Sequence, residues 1–117
     1  TFGYDGITSN SSYLDSSSSV RTSENIGYVM MRAGSITGIS TSVELSGTGK
    51  IKIKIYINGK DTGFENIISS TDKRKVDYDL QSEQILTYNA GDVISVYTEA
   101  IGNVEWGNQI TTVETTS

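Results

Sequence analysis

No cysteine, histidine or proline occurs among the 117 residues. Without cysteine there is no disulfide and no thiolate chemistry. Without histidine there is no Ser-His-Asp or Cys-His catalysis, no imidazole base and none of the common zinc sites. Without proline, turns and sheet edges must be shaped by other residues, and the 12 glycines, with Asn, Asp and Ser, are left to do it. Long apolar runs are missing as well. Nothing approaches the ~20 residues of a membrane-spanning helix and no signal-peptide core opens the chain, so membrane insertion is not expected. Positive charge is the minority sign, 9 Lys and Arg against 14 Asp and Glu. The net charge of −5 sets the surface against phosphate backbones, and nucleic acid is not an expected partner. The start at Thr1 fits either removal of an initiator Met or a piece of a longer protein. The length suits one domain, and a chain of this size buries roughly two-thirds of its unfolded surface, enough for one modest core.

What is present is alternation. In "KIKIKIYINGKD", Lys50 to Asp61, Ile51, Ile53, Ile55 and Ile57 fall on one parity and Lys50, Lys52, Lys54 and Tyr56 on the other. Successive side chains of a strand point to opposite faces, so the isoleucines are predicted to enter the core and the lysines to face water. A helix would spread this pattern around its whole surface. Each buried isoleucine contributes roughly 1.5 to 3 kcal/mol before entropy is charged. Asn58-Gly59 favours positive φ at both centres of a type I′ hairpin turn.

The rest of the chain reads as short strands between Gly, Asn and Asp turns. Residues 1–25 are rich in Ser, Asn and Thr and poor in aliphatics, which predicts a polar arm or linker. The alternative is an arm that docks on a partner through Phe2, Tyr4, Ile7, Tyr13 and Leu14. From Ile26, "IGYVMMRAG" reads as a buried strand. Ile39, Thr41, Val43 and Leu45 share one parity of the next. "GTGK", Gly47 to Lys50, reads as the turn that pairs this strand antiparallel with the isoleucine strand. Phe64, Ile67 and Ile68 mark the return strand and "SSTDKRK" a charged loop. "VDYDLQ" predicts inward Val76, Tyr78 and Leu80 with Asp77 and Asp79 outward. "QILTYNAGD" leads into the strand "VISVYTEA", "GNVEWGNQ" reads as a loop or short strand, and "ITTVETTS" as a terminal strand. The expectation is an all-β chain: an antiparallel β-sandwich of jelly-roll type over 26–117, with an extended N-terminal arm over 1–25.

The order "MRAGSITGIS", "GKIKIKIYINGK", "YNAGDVISVY" and a closing strand resembles trimeric jelly-roll heads of bacteriophage fibres and capsid-decoration proteins. More distantly it is similar to complement/tumour-necrosis-factor-like domains. The resemblance covers roughly residues 26–116. It implies a non-enzymatic structural module at the virion surface, a fibre head or decoration domain. Such a module would be a homotrimer joined to other virion proteins through the arm, with a host-surface glycan as candidate ligand. The alternative is a secreted or cell-surface carbohydrate-binding module. Neither implies a catalytic residue or a cofactor.

Three stretches offer chemistry. Asp77 and Asp79 share one strand face and could serve a cation or a glycosidic bond, but no EF-hand-like spacing accompanies them, and no metal site is assigned. "NAGD" reads as a turn in which Gly91 takes the left-handed position and Asp92 accepts from the backbone. Trp106, the only tryptophan, stands among Asn103, Asn108 and Gln109. Indole stacks on sugar faces and amides read hydroxyls, so Trp106, Asn103 and Asn108 form the candidate glycan site; the competing reading is core or interface packing. The apolar residues Tyr28, Met30, Met31, Tyr97, Ile101, Val104 and Trp106 exceed what a small sandwich needs, and a trimer interface would absorb them.

Overall fold

The computed structural model describes residues 1–117 and contains no helix. Nine strands follow in chain order: β1 (Phe2–Thr8), β2 (Ser12–Tyr13), β3 (Asp15–Ser16), β4 (Tyr28–Val29), β5 (Gly34–Ile57), β6 (Lys60–Ser69), β7 (Val76–Leu80), β8 (Thr87–Tyr88) and β9 (Val93–Thr116). All pairings are antiparallel and belong to one hydrogen-bonded sheet. The protein is therefore all-β, as the period-2 patterns predict.

Its spine is one long pair. β5 and β9, 24 residues each, run together from Ser35 opposite Thr116 to Ile57 opposite Ile94. The turn expected at Gly47 to Lys50 is continuous strand instead, and the loop or short strand expected around residues 102–109 is part of the long β9. The glycines bend the pair without breaking it. Gly47, Gly49 and Gly102 all take positive φ, and Gly49 lies opposite Gly102. A Cβ on Gly49 would strike the carbonyl of Ile101. The segments 34–46 and 50–57 thus pair with β9 and not with each other.

The bend brings distant parts of the inner surface together. Thr98 and Gln109, 11 residues apart on β9, share a hydrogen bond of 3.1 Å. Asn66 of β6 accepts one of 2.8 Å from Thr41 of β5. Between these ends lies a single cluster of 14 buried apolar residues, with Ile51, Ile53, Ile55, Ile68, Val96 and Trp106 at its heart. Ile51, Ile53 and Ile55 are fully buried, while Lys50, Lys52 and Lys54 stay partly exposed, as the alternation requires. Asn58 and Gly59 have φ of 52° and 78°, the signature of the type I′ turn.

The polar-arm expectation for residues 1–25 is corrected. β1 continues the sheet against β9, with Phe2 opposite Thr111 and Trp106 opposite Thr8. Phe2 and Leu14 belong to the core and Thr22 is buried. The few apolar residues suffice because the backbone is satisfied by strand pairing: Leu14 N–H donates to Val96 O at 2.8 Å, and Thr22 Oγ1 to Leu14 O at 2.6 Å. Nothing in the sheet marks a boundary at residue 25 or 26. Conversely, the expected buried strand from Ile26 is only the two-residue β4, and Met31 is 92% exposed.

Candidate functional site

Trp106, Asn103 and Asn108 do not form a surface platform. Trp106 is on the inner side of β9 and fully buried. Tyr4 lies against it at 4.7 Å between ring centroids, and the indole Nε1–H donates to Asn10 O at 3.0 Å. Both ends of the indole are therefore spent on β1 and the segment after it. Asn103 sits at the glycine bend opposite Thr48. Asn108, in the left-handed region, accepts from Gly6 N–H at 3.0 Å and donates to Glu44 at 3.1 Å. The expected glycan grouping is thus corrected to core packing for Trp106 and backbone support for Asn108.

The face expected for β7 is reversed. β7 pairs with β5 so that Asp79 lies opposite Ile39 and Asp77 opposite Thr41. Ile39 and Thr41 are buried, so the aspartates share their inward side. Each carboxylate meets a donor there. Asp79 Oδ2 accepts from Asn66 Nδ2 at 2.8 Å, and Asp77 Oδ2 accepts from Ile67 N–H at 3.1 Å. From Asn66 a chain of hydrogen bonds crosses the interior. Thr41 Oγ1 donates to Asn66 and shares 2.9 Å with Thr111 Oγ1, Gln109 Nε2 donates to Thr111 at 2.9 Å, and Thr98 donates to Gln109. All five of these side chains are buried. A buried polar group without a partner is costly, so the network dictates what β7 must turn inward. No group of three or more His, Cys, Asp or Glu side chains is placed to hold a metal.

The outward side of β7 is consequently apolar. Tyr78 is 72% and Leu80 70% exposed, and Val76 is also open. Across the sheet lie Ser40 and Ser42 of β5, then Thr112 and exposed Ile110 of β9. Val76, Tyr78, Ile110 and the hydroxyl residues line a shallow depression of about 290 Å³. β7 carries no ladder on its other side.

A second surface feature lies on the outward side of the isoleucine segment. Tyr13 of β2 is opposite Tyr97 of β9, which is opposite Lys54 of β5. The rings of Tyr13, Tyr97 and Tyr56 touch one another, with centroid separations of 4.9, 5.7 and 5.8 Å. Lys54 reaches Glu99 at 3.4 Å and Asp61 at 3.5 Å. Its partial burial pulls the pKa down, but the two carboxylates outweigh that and hold it above the ordinary lysine value. Desolvation first, with Glu24 for Tyr13 and Asp61 for Tyr56, raises both phenols. Composition and spacing singled out Trp106 because it is unique; for this cluster the sequence offered only Tyr56 on the lysine parity, and its meeting with Tyr13 and Tyr97 depends on the pairing of β2, β5 and β9.

The two remaining stretches are structural. Asp92 accepts from Asn89 N–H at 2.8 Å and from Asn58 Nδ2 at 3.0 Å, which latches the "NAGD" turn to the Asn58-Gly59 turn. In "TDKRK", Lys75 Nζ donates to the carbonyls of Ser70 and Asp72, and Asp72 accepts from Ser69 N–H, so the loop is tied to itself. No protein-family model matches the chain, and it has no significant match among curated proteins or solved structures.

Proposed function

We propose that the chain is a non-enzymatic structural module, a bacteriophage fibre head or capsid-decoration domain, built as a jelly-roll type β-sandwich that assembles as a homotrimer at the virion surface. The sandwich reading is supported by hydrogen bonds across the bend of the long pair, Thr98 to Gln109 within β9 and Thr41 of β5 to Asn66 of β6. The virion setting and the number three come from the resemblance of the strand order alone. The observation that carries assembly is the open face of Val76, Tyr78, Leu80 and Ile110. A contiguous apolar surface flanked by small hydroxyl residues is what a self-complementary or head-to-tail interface buries. The face carries no lysine or arginine, and its charges are confined to the edge, Asp77 in the depression and Glu114 beside Leu80. Of the residues expected at an interface from composition, Val104 and Trp106 are consumed by the core, while Met31 is 92% exposed. Contact with other virion proteins would then use exposed faces, because β1, β2 and β3 commit much of residues 1–25 to the sheet.

Light scattering coupled to size exclusion on the full chain at micromolar concentration is the test. A trimer is expected, and Tyr78→Glu with Leu80→Glu should convert it to a monomer with an unchanged circular dichroism spectrum. A wild-type chain that runs as a monodisperse monomer overturns the assembly reading. The second reading, a secreted or surface carbohydrate-binding module, is favoured by one specific observation, the cluster of Tyr13, Tyr56 and Tyr97.

A further inference from the structure

We infer that Tyr13, Tyr56 and Tyr97, with Lys54, Glu99 and Asp61 at their edge, form a binding platform for a neutral glycan on the outward face of the isoleucine segment. The inference rests on the second reading above, glycan recognition, and not on assembly; the platform and the β7 face lie on different stretches of β5 and β9.

The platform is rigid before any ligand arrives. Each tyrosine sits on a different strand, β2, β5 and β9, and each ring is braced by the other two. Tyrosine offers apolar contact area and a polar tip at low entropic cost, because only two side-chain torsions need be fixed. The C–H face of a pyranose matches such a ring, and its hydroxyls match the phenols around it. None of the three phenol oxygens is engaged in a hydrogen bond within the protein, whereas Tyr28 Oη is. The raised pKa values of Tyr13 and Tyr56 keep those groups as O–H donors well into the alkaline range.

Charge and size select among ligands. Lys54 is already neutralised by Glu99 and Asp61, and with Glu24 beside Tyr13 the carboxylates outnumber it, so an anionic ligand finds no free positive charge. The paired carboxylates keep free lone pairs that accept sugar hydroxyls. Three partly exposed rings fall well short of the roughly 800 Å² per partner of a standard protein interface, which favours a small ligand over a protein. The rings touch one another and leave no gap for a quaternary ammonium group. Further hydrogen-bonding capacity lies beneath them: Ser95 Oγ, opposite Tyr56, and Glu65 Oε2, opposite Lys54, are buried without a partner.

The test is a titration of the isotope-labelled full chain with maltotriose, lactose and chitobiose at millimolar concentrations, followed by NMR. At least one sugar is expected to shift the amide signals of Tyr13, Tyr56 and Tyr97. Tyr56→Ala or Tyr97→Ala should then weaken binding by about tenfold. Tyr56→Phe, which keeps the ring, should retain most of it. Trp106 fluorescence reports whether each variant is folded, since the indole is buried elsewhere; should an alanine variant unfold, Tyr56→Arg, which covers the same strand position without an aromatic face, replaces it. Shifts that map to the β7 face or another surface overturn the platform while leaving glycan recognition standing. The absence of shifts with all three sugars overturns both, and an alanine variant that stays folded and binds as tightly as the parent overturns the platform alone.

Discussion

Ile51, Ile53 and Ile55 on β5 and Asp77 and Asp79 on β7 are all turned to the interior, yet each comes from a strand with the same period-2 alternation of polar and apolar residues. In the isoleucine segment the apolar parity is inside and lysine is outside. In β7 the parity is inverted, with aspartate inside and Val76, Tyr78 and Leu80 outside. The two strands differ in what stands across the interior from them. The isoleucines meet Ile68, Val96 and each other in the apolar cluster. The aspartates meet Asn66 Nδ2 and the Ile67 backbone N–H, two donors that an apolar side chain would leave unsatisfied. Alternation therefore states that a strand has two unlike faces, while the partner across the core decides which face is buried.

Four substitutions break or sharpen this comparison, in falling order of effect. Ile53→Ala removes a fully buried side chain and should cost roughly 2 to 5 kcal/mol by denaturant unfolding. If Lys52→Ala cost more than Ile53→Ala, the assignment of faces on β5 would be inverted. On β7 the contrast runs the other way. Asn66→Ala takes the donor from Asp79 and one of two partners from Thr41, which keeps Thr111, and should cost about 1 to 3 kcal/mol. Asp79→Val should fall in the lower part of that range because Asp79 is only half-buried. Tyr78→Thr should shift stability by no more than ~0.5 kcal/mol in the monomer, as expected of a side chain 72% exposed. A large loss for Tyr78→Thr in a monomeric state, with none for Asp79→Val, would return β7 to the face its apolar residues suggested.

The same contrast shows which parts of the fold were legible in the sequence. The all-β class, the inward isoleucines and the Asn58-Gly59 turn were, because each follows from local periodicity or local φ preference. The reach of β5 and β9 was not. Gly47, Gly49 and Gly102 look like turn residues when read one at a time, and only their mutual alignment across two strands distant in sequence makes them a shared bend. Residues 1–25 misled for a related reason. Their order comes from pairing along β9 and from Phe2, Leu14 and Thr22, and composition averages such isolated anchors away. At the candidate sites, uniqueness drew attention to Trp106, whereas three ordinary tyrosines converge only after β2, β5 and β9 are laid side by side. The acceptor role of Asp79 needed Asn66 and that of Asp77 the Ile67 N–H, and nothing local marks either donor.

The smallest expected effect tests a place where local reading and structure agree. Asp92 lies at the "NAGD" turn and accepts from Asn89 N–H and then from Asn58 Nδ2, and these donors hold its pKa below the ordinary carboxylate value. A carboxylate whose pKa is lower folded than unfolded stabilises the fold in full above its unfolded pKa of about 3.9. That stabilisation is lost as the pH falls through the still lower folded value, where the carboxylate takes up a proton in both states. The latch should therefore be intact at neutral pH and weaken only below about pH 4. Thermal melts of the parent chain and of Asp92→Asn between neutral pH and the acid limit give the measurement. The parent should melt slightly higher at neutral pH, with the gap closing as the carboxylate protonates, because an amide cannot supply the two acceptor oxygens that bridge the turns. A gap that stayed constant with pH would mean that Asp92 acts through its shape and not its charge. The link between the two turns would then rest on Asn58, whose amide oxygen accepts from Val93 N–H at 2.9 Å and whose own N–H donates to Val93 O.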